Sequence, residues 1–223
     1  MLLEAARERG LRYVQVSTDE VYGSIEQGSF TEESPLNPSS PYSATKAGAD
    51  LLVASYRHTF GLEALICRGS NNYGPFQYPE KLIPLMVLNA LHGDKLPVYG
   101  DGMQVRNWIY AEDFARGIGF ALEHGVPGEV YNVGQGSCIS VGDMLEILRS
   151  KSRTRIRVEQ DPARMRPSDV TLLWANVDKF QAATGWKPSI AFDRTMADLL
   201  EYWRARVGAP AEHLAAPQLA SAA

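Results

Sequence analysis

An α/β fold with a mainly parallel sheet is what this 223-residue chain predicts, on three observations. Strand-like and helix-like runs alternate along its length. The strand-like runs, "LEALICRG" for example, are short and apolar on both faces, as strands are when helices cover both sides of a sheet. The helix-like runs carry their own start and stop residues.

The elements follow in order. In "LLEAARERG" apolar Leu2, Leu3, Ala5 and Ala6 precede charges, and Gly10 ends the helix. A strand comes directly after it, at 11–16, so the chain opens on a helix-to-strand join with no strand before it. A polar loop at 23–41 is held extended by Pro38 and Pro41. A helix is predicted from 43 to 60, with Gly61 at its end, and then the strand "LEALICRG". "NNYGPFQYPE" reads as a loop. "KLIPLMVLNALHGD" reads as a helix with Pro84 in its first turns. "LPVYGDGMQVRNWIY" reads as strand, turn and strand, with the turn at "GDG". A helix ("AEDFARGIGFALEHG"), a strand ("GEVYNVG"), a helix capped by Ser140 and a strand ("RIRVEQ") follow. Helical runs are predicted at 176–185 and 192–205. The Ala/Pro-rich end, 207–223, reads as a disordered tail. There is no internal repeat.

Composition is that of a globular protein, 45% apolar and 22% charged, with a formal net charge of -4. Bulk charge therefore points to no nucleic-acid partner and no anionic membrane. Cys67 and Cys138 lie in apolar contexts without CxxC spacing and read as two buried thiols. The histidines show no metal-binding spacing, so no metal site is expected. No run is long enough to span a bilayer and no signal-peptide core is present, which makes a cytoplasmic location the default.

Chemistry concentrates at two places. "STDEVYG" sets Asp19 and Glu20 side by side where a strand runs out, and ligands of parallel sheets sit beyond the carboxyl ends of strands. "PYSATKAGAD" puts Tyr42 and Lys46 four apart, on one face of a helix. An ammonium beside a phenol favours the phenolate, which can then take a proton from an alcohol. Two adjacent carboxyls repel each other's ionisation and favour a mixed pair, one charged and one protonated. Side chains adjacent on a regular strand point apart. For both acids to act together the backbone must leave strand geometry at Asp19.

With "VSTDEVYG", "SPYSATKAGADLL", "SNNYGPFQYPEKLIPLM", "LPVYGDGMQVRNWIY" and "GEVYNVG", the sequence resembles the extended short-chain dehydrogenase/reductase family, on its dTDP-glucose 4,6-dehydratase branch. The resemblance is dense over residues 1–135 and looser beyond. It implies a partial Rossmann-type parallel sheet with a smaller α/β substrate-binding region. Residues 1–75 would be the C-terminal half of an NAD-binding domain, and 76–206 mainly a nucleotide-sugar-binding region, with strands near 107–134 returning to the sheet.

The resemblance also implies roles. Tyr42 takes the proton of the sugar O4, Lys46 lowers the tyrosine pKa and binds the nicotinamide ribose, and Thr18 bonds near the O4 hydroxyl. Glu20 is the base at C5, and Asp19 the acid that protonates the departing C6 hydroxyl. Ser17 and Asn72 join Tyr42 and Lys46 at the cofactor. Asn72, Lys81, Leu82, Tyr99, Arg106, Asn132 and Arg166 are expected on the nucleotide-sugar side, with Tyr99 against the base and Arg106 and Arg166 at phosphates. The four tryptophans read as packing residues.

Two departures qualify the resemblance. The GxxGxxG turn that seats the NAD pyrophosphate in this family does not occur in the sequence. The expectation is a fragment or truncated gene model, or a chain whose other half comes from another polypeptide, that binds NAD weakly or not at all by itself; a homodimer paired through the helix at 43–60 is the other expected partner. "DPARMRPSDV" and "TGWKPSIAFDRTMADLLEYWR" look more like the GDP-mannose dehydratase and GDP-deoxyhexose reductase branch. The sequence therefore leaves three functions in play. The first is a dTDP-glucose 4,6-dehydratase. The second is a GDP-mannose dehydratase or other nucleotide-sugar epimerase or decarboxylase. The third is a catalytically silent sugar-nucleotide-binding or interaction module.

Overall fold

The computed structural model describes residues 1–98, 102–152, 157–160 and 172–207. Tyr99, Arg166 and the tail from 208 onward lie outside the described residues. Among the described residues no helix is long and apolar enough to cross a membrane.

The chain begins with α1 (Leu2–Glu8), β1 (Tyr13–Thr18) and a 3-10 turn (Asp19–Tyr22), then α2 (Pro41–Phe60) and β2 (Ala64–Gly69). Helix α2 starts two residues before the expected position. Pro41 occupies its first turn, and Ser40 and Ser43 cap each other reciprocally, satisfying amides that would otherwise lack partners. Later in the chain β7 (Val130–Val133) pairs with β2, giving a parallel sheet in the order β1-β2-β7. Thr18 stands opposite Gly69 and Gly69 opposite Val133, so the three strands end level. That shared end is where the site forms.

Alternation along β2 sorts its side chains onto two faces. Leu65 and Cys67 pack with Ile109, Tyr131, Phe180 and Trp186, on the side of α4 (Ala111–His124) and α6 (Asp178–Thr184). Ala64 and Ile66 pack with Ala6, Val53 and Leu62, on the side of α1 and α2. Every residue of β2 is buried, as expected for a central strand covered on both faces.

A second region holds the other side of the site. Helices α3 (Leu82–His92), α5 (Val141–Lys151) and α7 (Phe192–Val207) enclose one apolar core that includes Ile83, Met86, Met144, Leu148, Met196, Leu199 and Trp203. Ser140 caps α5 as expected, its hydroxyl accepting from the Asp143 amide at 3.0 Å. Short strands tie the regions together. Of these, β3 (Asn71–Tyr73) pairs in parallel with β6 (Trp108–Tyr110), β4 (Lys95–Val98) pairs in parallel with β9 (Arg157–Gln160), and β5 (Val105–Arg106) lies between β8 (Ile139–Ser140) and β10 (Leu172–Leu173). Strand β3 falls where a loop was expected. Its Asn-rich sequence has little strand propensity, and the pairing comes from the tertiary partner β6. Of the two cysteines, Cys67 is buried as expected but Cys138 is only partly so.

Candidate active site

Beyond the level strand ends lies an open cavity of about 830 Å³. Its wall takes Ser17, Thr18 and Glu20 from the end of β1, Tyr42 and Lys46 from α2, and Asn72 from β3. From the helical region come Lys81, Leu82 and Arg106. Nine of the sequence-predicted residues thus share one cavity.

The backbone does leave strand geometry at Asp19. Thr18 is the N-cap of the 3-10 turn, its hydroxyl accepting from the Glu20 amide at 3.2 Å. Gly23 closes the turn with φ +86, and a Cβ there would stand 2.5 Å from the Asn37 carbonyl oxygen, so only glycine fits. The turn separates the two acids. Glu20 is half-buried at the cavity wall, whereas Asp19 is 1% exposed and lies behind the lining residues. Burial first, and then the neighbouring Glu20 charge, hold the Asp19 carboxyl well above the usual carboxylate range. A buried carboxyl that resists ionisation beside a second acid leans in the direction of the mixed pair expected from the sequence.

Tyr42 projects from the first turn of α2 and is 55% exposed. Here the structure differs from the sequence expectation. The phenol is pushed up from its ordinary value, by burial first and then by the Glu20 charge, with Asp19 adding to the rise and Thr18 opposing it. Lys46 does not counter this, because its Nζ donates to the Val16 carbonyl at 2.7 Å. That contact places the ammonium at the end of β1, one turn along the helix from the phenol.

The substrate-side residues are less uniform. The Asn72 side chain is oriented by its Nδ2 donating to the Ser70 carbonyl at 3.0 Å, and the Asn72 backbone carbonyl accepts from Gln77 Nε2 at 2.9 Å. Lys81 stands at the N-cap of α3, 3.6 Å from Glu80. Arg106 is half-buried on β5, close enough for its charge to pull Asp19 downward. Asn132 is a correction. It is wholly buried and outside the lining, because its side chain accepts from the Tyr22 hydroxyl at 2.8 Å and donates to the Asn176 carbonyl at 3.0 Å. An asparagine near the end of β7, an outer strand of the three, found internal partners before it could face a ligand.

Sequence reasoning missed Gln77, Glu80, Gln104 and Trp108, which also line the cavity. The first two sit between Asn72 and Lys81, and the last two flank Arg106, so nearness to predicted residues was the available signal. Trp108 does pack, against Phe192 at 5.8 Å, but it forms wall as well as core.

Whether these residues suit a dinucleotide can be judged from their free valences. The Ser17 hydroxyl is buried at the cavity wall with no hydrogen-bond partner among the described residues, and so is that of Ser70. With the phenol and ammonium of α2 they give hydroxyl and amine groups around the strand ends, fitting the ribose and nicotinamide end of NAD. No glycine-rich turn for the pyrophosphate is present in the sequence.

The family model described as GDP-mannose 4,6 dehydratase matches residues 1–199. The low-salt glycan biosynthesis protein Agl12 of Haloferax volcanii is 45% identical over 204 residues, covering 91% of this chain and 65% of that protein. A dTDP-glucose 4,6-dehydratase of Streptomyces antibioticus is 50% identical over 149 residues, or 66% of this chain and 44% of that one. Among solved structures, the dTDP-glucose 4,6-dehydratase DesIV of Streptomyces venezuelae, with NAD and TYD bound, superposes with a TM-score of 0.84 at 42% identity. It matches 93% of this chain and 64% of its own. A UDP-glucuronic acid 4-epimerase of Bacillus cereus reaches 0.86 at 27% identity, matching 92% of this chain and 65% of its own. The chain thus spans less than two thirds of the length of these relatives.

Proposed function

The chain belongs to the GDP-mannose 4,6-dehydratase family, with the Rossmann-type fold of the extended short-chain dehydrogenases, and from that premise we propose that it carries the catalytic part of an NAD-dependent nucleotide-sugar 4,6-dehydratase. The preferred substrate is dTDP-glucose, converted to the 4-keto-6-deoxy sugar with loss of water. The observation that carries this reading is the acid pair. Asp19 is buried with its carboxyl held well above the usual carboxylate range, Glu20 lies at the cavity wall, and both belong to the turn packed against the helix of Tyr42.

NAD, when bound, supplies the hydride acceptor and donor that C4 and C6 of the sugar require. The chain's own groups move the protons. Tyr42 accepts the O4 proton, with Lys46 released from the Val16 carbonyl to bring its charge toward the phenol and the ribose. The C4 ketone acidifies the C5 hydrogen, which Glu20 takes. Asp19, which lies behind the lining and must be carried into the cavity by a shift of its turn, gives its proton to the C6 oxygen as water leaves, and Glu20 returns its proton to C5. Ser17 and Asn72 would hold the nicotinamide end, and Lys81, Leu82 and Arg106 the nucleotide diphosphate. Leu51 and Leu52 are 63% and 58% exposed on the outer face of α2, which supports a homodimer formed by helix pairing.

The test is incubation with dTDP-glucose and NAD, with and without a co-expressed polypeptide carrying a glycine-rich dinucleotide-binding turn. The alkali-sensitive 4-keto chromophore is the expected product, strongest with the added polypeptide. Product only from GDP-mannose or a UDP sugar would move the substrate and keep the reaction. No product from any of them would replace the enzyme with a silent binding module.

A further inference from the structure

Arg68 lies outside the cavity lining, yet it joins the two elements that carry the catalytic groups. It projects from β2 on the face toward α2 and is 5% exposed. Its Nε donates to Asp50 Oδ2 at 3.0 Å, and Asp50, itself 1% exposed, stands one turn beyond Lys46 on α2. Its Nη1 donates to the Tyr22 hydroxyl at 2.9 Å, and the guanidinium lies 4.8 Å over the Tyr22 ring. Tyr22 is the last residue of the turn that holds Asp19 and Glu20. Its hydroxyl passes the hydrogen bond on to Asn132 Oδ1 on β7, the residue paired with Arg68 across the sheet.

We propose that Arg68 is a positioning residue. It sets the separation between the turn of Asp19 and Glu20 and the helix of Tyr42 and Lys46 by holding both on one guanidinium anchored in the most buried strand. The planar fork suits this task, because it fixes two bond directions at once where an ammonium would fix neither. A stabilising role alone explains it poorly. A buried ion pair is often no better than an apolar pair of similar volume, and its desolvation is costly. The same face of the sheet is apolar farther back, with Ala64, Ile66 and Val53 in contact. The switch to Arg68, Asn132 and Asp50 occurs only behind the acid turn.

The inference rests on the reading that the acids and Tyr42 act on one hexose, but its test does not need turnover. The Glu20 charge raises the Tyr42 pKa, so the phenol reports the distance between turn and helix. The probe is NMR titration of ring-labelled tyrosine, with Tyr42 assigned through Tyr42→Phe. In the parent, Glu20→Gln should lower the Tyr42 midpoint, leaving the larger rise that comes from burial. In the apolar pair Arg68→Met with Asp50→Leu, thermal stability should equal or exceed the parent's, while the response of Tyr42 to Glu20→Gln shrinks by half or more. Tyr22→Phe removes one hydroxyl and keeps the ring, and should shift the response the same way by less. An unchanged response in a stable apolar-pair protein, or in Tyr22→Phe should the pair fail to fold, would overturn the proposal and leave Arg68 a packing residue. Where turnover is measured in a complete enzyme, the apolar pair should lose roughly 10²-fold in kcat with KM little changed. Absence of any dehydration by the parent would defeat the functional reading and leave the titration to decide this one.

Discussion

The helical region and the three-stranded sheet bury different things. Around α3, α5 and α7 the interior is one continuous apolar core, and Thr195 is a rare polar side chain inside it, bonded to Tyr73 and the Phe192 carbonyl. Around the sheet the apolar side chains fall into separate clusters on its two faces and behind the acid turn. Between them sit buried Asp19, Asp50, Arg68 and Asn132. The helical region gains its stability from packing, and the sheet uses part of its interior to hold charges in register. The lesson is that cohesion and chemistry are segregated, and each should answer to a different mutation.

The largest effect tests the chemical half. Tyr42→Phe removes only a hydroxyl, and losing a general base should cost about 10²–10⁴-fold in turnover. Because Tyr42 is more than half exposed, the same change should leave stability within about 0.5 kcal/mol. Denaturant unfolding beside a turnover assay checks both numbers, and a large stability loss would break the segregation. The next tests the packing half. Leu199 is 2% exposed in the helical core, so Leu199→Ala should cost about 2–5 kcal/mol. Loss of less than about 1 kcal/mol would mean that this core is loosely packed and the contrast misdrawn.

A third prediction sharpens the comparison through pH. The Asp19 pKa is raised in the folded protein, so the native state keeps a proton that the unfolded chain has released. Its contribution is fully present below the ordinary carboxylate range, and it is lost as pH rises through the folded value. Asp19→Asn should therefore gain on the parent in unfolding free energy as pH rises, with the difference smallest near about pH 4. Chemical denaturation across that range measures it, and a pH-independent difference would mean that Asp19 ionises normally.

How much of this was legible in the sequence differs between the same two regions. The sheet and its site announced themselves, because a two-sided apolar strand, a pair of acids at a strand end and a YxxxK pair each have a local physical meaning. The bend at Asp19 could be demanded from chemistry before it was seen. What could not be read was decided by tertiary partners. Strand β3 exists because β6 lies beside it, Asn132 turns inward because Tyr22 and Asn176 meet it, and Lys46 is held by a backbone carbonyl that no spacing rule reveals. On the cavity wall, Gln77, Gln104 and Trp108 lie inside stretches that carried the resemblance, but their residue types alone pointed to no chemistry.

The smallest effect belongs to β1, the strand on which the contrast within the sheet turns. Val16 stands opposite Cys67 in the parallel register, yet Val16 is 43% exposed while Cys67 is fully buried. Two adjacent strands of similar apolar sequence therefore have unequal claims on the core, and β1 carries its valine at the cavity margin beside Lys46. Val16→Ala removes side-chain surface that water already reaches, so it should cost less than about 0.5 kcal/mol, against about 2–5 kcal/mol for Leu65→Ala on β2. Equilibrium unfolding of both variants at two protein concentrations provides the measurement. A cost near that of Leu65→Ala would mean that another surface covers β1 in solution, and a cost that grows with protein concentration would identify that surface as a second copy of the chain.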